Sequence, residues 1–247
     1  KKVTIIAEAS NHSSRIAAGL FNPVTGKNLS KTWMANEVFK QLHSFYAHAE
    51  QVTKARFFHP FPIYRPFLSI EEQNEWMGKS ASAEWLPFIE KVFSNSTQWP
   101  GVNDALGGLL LKQTGYVDTN KFLDAARHFF QKLGAFVLES FDYAALEILE
   151  SGVRYKGTNA KKIIFCEGIL SLNNPFFNWV PVRPLKGETM SVQANLPKEA
   201  ILNRGVYGVP QNNDTYKIGA THEAKDLSPA ITEKGRAELE EKLKELF

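Results

Sequence analysis

Residues 3–26 read VTIIAEASNHSSRIAAGLFNPVTG, and the loop beyond the first six of them decides the fold. Residues 3–6 are β-branched throughout, which suits a buried strand, and the run ends on Glu8. Further on, residues 17–27, AAGLFNPVTGK, have the outline of a phosphate loop: a glycine, a short run and then Gly-Lys. A nucleotide P-loop needs four residues between its glycines and a Ser or Thr after the lysine to reach magnesium. Here six residues separate Gly19 from Gly26, Asn28 follows Lys27, and Pro23 deletes a backbone N–H that such a loop would turn on the phosphate. The P-loop is excluded. Asn22-Pro23 and Thr25-Gly26 are turn signals, so the stretch taken alone reads as a turn.

With 247 residues the chain can bury a sizeable core, as one large domain or two small ones. Apolar residues at 43% and charged residues at 22% are those of a globular protein. The formal net charge of +3 is spread without a basic run, which gives no electrostatic reason to expect nucleic acid. The single cysteine, Cys166, excludes an internal disulfide framework and suits a reducing compartment. No apolar run approaches the length of a membrane span and no segment has the layout of a signal peptide, so the expected setting is the cytoplasm. The chain opens directly on strand-like residues and closes on a helix that Thr232 can cap, with Leu239, Leu243 and Leu246 on one face. Those ends read as the edges of a piece of a longer protein.

Between them, the spacing of Trp33, Phe39, Leu42, Phe45, Ala49 and Val52 predicts an amphipathic helix from about residue 32 to 53. ARFFHPFPIYRPF (55–67) comes next, and its prolines at 60, 62 and 66 are expected to forbid a central strand while allowing an edge strand or an extended aromatic wall. Helices are expected near 70–78 and 82–94, then a loop over 97–108. GGLLLKQTGYV (107–117) reads as a strand pair. Asp118 can cap a helix whose apolar face is Phe122, Ala126, Phe129 and Leu133, ended by Gly134. Residues 135–140 and 144–155 read as strands, and so does KKIIFCEG (161–168), whose wholly apolar centre suggests a buried parallel strand. Further strands are expected at 186–196, 205–210 and 216–223, with turns at Asn212-Asn213 and near Gly205. Strands and helices in this order predict α/β, or mixed α+β, architecture with two lobes sharing a discontinuous chain.

A dinucleotide-binding fold places an acid at the end of its second strand to accept hydrogen bonds from the adenosine ribose, and VTIIAE has that form with Glu8 as the acid. SSRIAAGLFNPVTG (13–26) resembles the loop after this strand in the D-amino acid oxidase and glycine oxidase family of FAD-dependent oxidoreductases, where small residues let the backbone approach the flavin. Four later segments resemble the same family in the same order. GYVDTNKFLDAARHFFQKLGA (115–135) is similar to its Val-Asp segment leading into a helix, and KIIFCEG (162–168) to a strand ending beside the cofactor. RPLKGE (183–188) resembles its Arg-Pro-x-basic-Gly segment, and GVYGVPQNNDTYKIGATHE (205–223) its Tyr-x-Val-Pro, turn, Gly-Ala-Thr-x-Glu hairpin. The resemblance implies an incomplete Rossmann-like FAD-binding lobe over 1–31 and 107–182. It implies a substrate-binding lobe over 32–106 and 183–247, with a mixed, largely antiparallel sheet and flanking helices. The family's Gly-x-Gly-x-x-Gly unit and its C-terminal glycine-rich flavin segment with a substrate-clamping arginine are not among these 247 residues. The chain therefore resembles the centre of such an enzyme and is expected to be inactive as a piece.

The activity this implies is oxidation of an amino acid or related amine, with the flavin of FAD accepting a hydride from the carbon next to nitrogen. Consistent with that chemistry, the sequence offers no nucleophile motif and no metal-ligand set. The resemblance places Glu8 at the ribose; Ser13, Ser14, Ala18, Gly19 and Leu20 along the pyrophosphate and flavin; Cys166 and Gly168 near the adenosine; and Tyr207 at the substrate. Each has a plainer alternative: a cap or turn for Ser13 and Ser14, a small buried apolar residue for Cys166, a packing tyrosine for Tyr207. His59, Tyr64 and Arg65 could line the pocket or serve the core, and Lys186 and Glu188 read as a solvated turn. The expected partner is a small amine or amino acid, with the oligomeric state left open. Two other readings stand beside this one: a substrate-binding or structural module without redox activity, and the flavin domain of a tRNA-modifying enzyme, against which the lack of a basic patch counts.

Overall fold

The computed structural model describes residues 2–8, 13–26, 29–211 and 214–247. The expected turn at Asn212-Asn213 lies outside the described residues. In chain order the first elements are β1 (Ile5–Ala7), a single-turn α1 (Ser13–Ile16), β2 (Leu20–Phe21), β3 (Val24–Thr25), β4 (Ser30–Lys31), α2 (Ala35–Thr53), β5 (Phe58–Pro60) and β6 (Ile63–Pro66). Next come α3 (Ile70–Lys79), β7 (Ile89–Phe93), β8 (Gly108–Leu111), β9 (Gly115–Val117), α4 (Thr119–Lys132), β10 (Phe136–Leu138), β11 (Leu146–Leu149), β12 (Gly152–Tyr155) and β13 (Thr158–Ala160). The last are β14 (Thr189–Gln193), β15 (Ile201–Arg204), β16 (Val206–Pro210), β17 (Thr215–Gly219) and α5 (Glu233–Leu246). The fold is mixed α/β, as expected.

Two compact units share the chain discontinuously. The first comprises Lys1–Ser10, Phe130–Lys186 and Glu223–Ser228; the second comprises Asn11–Phe129, Gly187–His222 and Pro229–Phe247. The cuts differ from the expected lobe boundaries for a reason visible in the strand pairing. β9 pairs with both β2 and β5, and β8 pairs with β6 and β7, so residues 107–129 are laced into the second unit.

The second unit is built on a seven-stranded sheet in the order β14-β17-β16-β15-β6-β8-β7, antiparallel except for the β15–β6 pair. Side chains alternate across its strands, and both faces are apolar. Ile63, Leu109, Leu111, Ile201 and Val209 join one core cluster with Phe39 of α2 and Trp76 of α3. Tyr64, Leu202, Val206 and Ile218 join the other with Leu239 and Leu246 of α5. Burying each large side chain here stabilises the unit by about 1.5–3 kcal/mol. Thr232 caps α5 by accepting from the Gly235 N–H at 3.0 Å, and Leu239 and Leu246 face the core as the heptad spacing predicts.

Several expectations fail here, those about strands through pairing with a distant partner. The proline-rich strand is central: β6 lies between β15 and β8. This is tolerated because the prolines bracket it. Pro62 contributes only its carbonyl, to Ile201 N at 2.9 Å, and the parallel pairing ends at Tyr64, two residues before Pro66. Residues 82–94 are not a helix: turn bonds near Ser82–Trp85 give way to β7, which pairs with β8. β8 and β9 do not form a pair, since each belongs to a different sheet. Trp33, Phe45 and Val52, assigned to the apolar side of the helix, are exposed; Trp33 precedes α2 altogether.

The first unit holds the parallel pair β1–β10 and the three-stranded meander β11-β12-β13. Its centre is aromatic, with Phe141 stacked on Tyr155 at 4.4 Å and Phe165 edge-on to Phe141 at 5.6 Å. Residues 161–167 join no sheet, so KKIIFCEG is not the buried strand expected of it, and Ile164 is 83% exposed. An apolar run becomes a buried strand only when neighbours supply both a ladder and a cover.

Candidate active site

The expected cofactor loop starts from the one-turn α1, which Ala17 N closes by bonding Ser13 O at 2.9 Å. Ser13 and Ser14 are exposed on that turn. Ala18 is buried against the first core cluster, and Leu20 enters β2 opposite Tyr116. Gly19 adopts φ +69° and accepts from Val117 N at 2.9 Å; a Cβ there would stand 2.0 Å from Val117 O. The demand for glycine at 19 therefore comes from β9 of the same chain. Past the loop, Asn22 Oδ1 accepts from Val24 N at 2.9 Å, which turns the chain into the β3–β4 hairpin.

Ala17 and Ala18 form one wall of a cleft of about 140 Å³. His59, Tyr116, Asp118, Lys121 and Lys217 also line it. Each is held by its element. His59 on β5 stacks on Tyr116 of β9 with ring centroids 4.6 Å apart, across their antiparallel register. Asp118 caps α4, accepting from Lys121 N at 3.1 Å, and its other oxygen meets Lys121 Nζ at 2.9 Å. Lys217 extends from β17 on the opposite face from the buried Tyr216 and Ile218.

These groups set one another's protonation. Burial pushes His59 below the usual histidine range, Lys121 adds to that, and Asp118 works against it. Burial also lowers Lys217, opposed by Asp118. For Asp118 burial favours the neutral acid, yet the bonds from Lys121 outweigh it and hold the carboxyl below its ordinary range. The cleft thus gathers an imidazole whose charged form burial disfavours, a carboxylate and two lysines, a set able to orient a small polar molecule.

The other sequence candidates fall elsewhere. Tyr207, on β16, is half-buried against the first core cluster, and its hydroxyl lies over Gly219, where a Cβ would approach within 2.5 Å. Burial pushes its phenol up. Tyr64 is wholly buried and donates to Asp104 Oδ2 at 2.8 Å, so it belongs to the core. Arg65 is 5% exposed and donates to Gly26 O at 3.0 Å. Neither lines the cleft. Glu8, Cys166 and Gly168 belong to the first unit. Glu8 sits just beyond the carboxyl end of β1 and accepts from Ser140 Oγ at 2.9 Å. Cys166 is exposed, not a buried apolar residue, and Gly168 opens a 3₁₀ turn at φ +56°.

Lys186 and Glu188 are not a solvated turn. The Lys186 side chain is 9% exposed and meets Asp226 at 3.2 Å, while Glu188 accepts from Thr232 N at 2.9 Å and Thr232 Oγ1 at 2.7 Å. Sequence reasoning missed Tyr116, Asp118, Lys121 and Lys217 as cleft residues. The signal for Lys217 was available: it is a lone cation between apolar neighbours on a period-two strand.

Comparison with known proteins gives the same fold. A glycine oxidase from Geobacillus kaustophilus superposes with a TM-score of 0.75 at 16% identity, over 99% of this chain and 71% of that one. A glycine oxidase from Bacillus cereus gives 0.71 at 19% identity, over 100% and 73%. Iminodiacetate oxidase from Chelativorans gives 0.69 at 12% identity, over 98% and 71%. The sequence model of the DAO family, FAD dependent oxidoreductase, matches residues 1–247, and the chain belongs to that family.

Proposed function

We propose that the protein is an FAD-dependent oxidoreductase that takes a hydride from the carbon next to the nitrogen of an amino acid or related amine. The observation that carries this is Glu8, an acid at the carboxyl end of the parallel strand β1, beside β10. Ligands of open parallel sheets lie at the carboxyl ends of the strands, where such an acid can accept from ribose hydroxyls. Glu8 already accepts one hydroxyl donor, Ser140, which supports that role. Glu8, Cys166 and Gly168 would hold the adenosine side of FAD, and Ser13, Ser14, Ala18, Gly19 and Leu20 the pyrophosphate and flavin side. This assigns cofactor binding to 1–31 and 107–182 and substrate binding to 32–106 and 183–247.

Bound FAD supplies the hydride acceptor, so this chain's part is to bind, orient and exclude water. The cleft beside Ala17 and Ala18 offers the Asp118 carboxylate, suited to the ammonium end of an amino acid. His59, whose charged form burial disfavours, lines the same cleft and can accept a hydrogen bond from the substrate's ammonium. Tyr207 is assigned to positioning the substrate, through its phenol. The substrates named for the similar oxidases, glycine and iminodiacetate, are small and amine-bearing, in keeping with this reading.

The test is the visible spectrum of the full-length protein purified with FAD, then an anaerobic panel of amines and amino acids scored by flavin bleaching. A flavin spectrum bleached by at least one amine is expected. A colourless protein that gains no flavin spectrum overturns the proposal.

A further inference from the structure

The carbonyls of Arg15 and Ile16 end α1, a helix of one turn, and that of Ala17 follows it, with no further turn to bring donors to them. Each is met instead by a side chain from far along the sequence. Asn120 Nδ2 donates to Arg15 O at 3.1 Å, Thr119 Oγ1 to Ala17 O at 3.3 Å, and Lys217 Nζ to Ile16 O at 3.0 Å and Ala17 O at 3.5 Å. The Arg15 guanidinium returns bonds to Asn120 Oδ1 at 3.2 Å and Asp124 Oδ1 at 2.7 Å. Two of the three clamps come from the start of α4, nearby through the β2–β9 pairing. Lys217 is the one from the large sheet and the one that brings a charge.

We propose that Lys217 is the positioning residue of the loop 17–20, its ammonium fixing the Ile16 and Ala17 carbonyls to strand β17. The inference rests on the reading of that loop as the flavin-facing one. The register supports it. Lys217 stands opposite Val209, and Tyr207 stands opposite Gly219, so Lys217 and Tyr207 share one face of the β16–β17 hairpin. Whatever sets the height of Lys217 sets the loop and the tyrosine together. A sheet lysine with two carbonyl partners gives a rigid reference that a one-turn helix cannot give itself.

The experiment compares wild type with Lys217→Met, Lys217→Gln and Lys217→Arg in the full-length protein. Amide exchange at residues 17–20 is read with and without FAD, and FAD affinity and the visible circular dichroism of the bound flavin are read alongside. Lys217→Met is expected to speed exchange at 17–20 and weaken FAD binding by about tenfold each, the size of one charge-assisted hydrogen bond. It should also alter the flavin dichroism at saturating FAD. Lys217→Arg should stay within about threefold of wild type, because it keeps a charged donor. Should Lys217→Met fail to fold, Lys217→Gln, which keeps a neutral donor, is expected to fall between the two. Unchanged exchange and unchanged dichroism in Lys217→Met, or in Lys217→Gln where that is the variant read, overturn the inference. Failure of wild type to bind FAD overturns the functional reading instead, and the exchange measured without FAD still decides the role of Lys217.

Discussion

The two units of this molecule use apolar residues in opposite ways. In the second, a seven-stranded sheet carries a buried cluster on each face, and Ile63, Tyr64, Leu109, Leu111 and Ile218 are wholly enclosed. In the first, Tyr155 is the one hydrophobic side chain that is buried among the described residues, and Val137, Leu138, Ile148, Ile164 and Trp179 are exposed. Parallel strands are ordinarily covered on both faces. The same apolar pattern thus has two fates, set by how many neighbours the strand finds. Where a ladder runs unbroken through seven strands, the sequence pattern and burial agree. Where two strands pair with no third among the described residues, as β1 and β10 do, the pattern is present and the burial is not.

Point substitutions put that contrast to the test. The largest effect is expected in the enclosed sheet: Leu109→Ala should lower unfolding stability by about 3–4 kcal/mol, because the cavity has packed neighbours on every side. A urea titration giving less than about 1 kcal/mol would mean the sheet core collapses around the gap. Gly19→Ala comes next, at about 2–3 kcal/mol, since it combines φ +69° with a Cβ 2.0 Å from Val117 O. The thermal midpoint and FAD affinity should fall together, as the loop is displaced.

Asp104→Asn should cost about 2 kcal/mol at neutral pH. Asp104 accepts from Tyr64 Oη at 2.8 Å, Ser96 Oγ at 2.6 Å, and Thr97 N and Oγ1 at 2.9 and 2.7 Å. Burial works against its carboxylate, and these donors overcome it and lower its pKa. A lowered folded pKa contributes stability above the unfolded value, near pH 4, that is lost as pH falls through the folded value. Urea titrations at pH 7 and pH 3 should therefore show the gap between wild type and Asp104→Asn narrowing on acidification. The smallest effect is expected in the first unit, where Ile164→Ser should change stability by less than about 0.5 kcal/mol, its side chain being 83% exposed. A larger loss would show that this segment is covered in solution, and would erase the contrast between the units.

Much of the local structure was legible in the residues alone. Asp118 and Thr232 cap the helices they were expected to cap, and Gly134 ends its helix at φ +62°. The strand ending in Glu8 and the hairpin around residues 206–219 also stand where the sequence puts them. The candidate site was less legible. Ala18 could be singled out from its small neighbours, but the charged lining of its cleft comes from β5, α4 and β17, which are far apart in sequence.

The residues alone were enough for the caps of α4 and α5, the strand leading to Glu8 and the family, because each is written in short runs of neighbouring residues. The tertiary structure decided who pairs with whom. It made the proline-bracketed β6 central, turned residues 89–93 into a strand, left 161–167 without a ladder, and brought Lys217 to carbonyls 200 residues away. The physical reason is that side-chain alternation specifies which face is apolar, while the partner that covers the face is chosen by the packing of the whole unit.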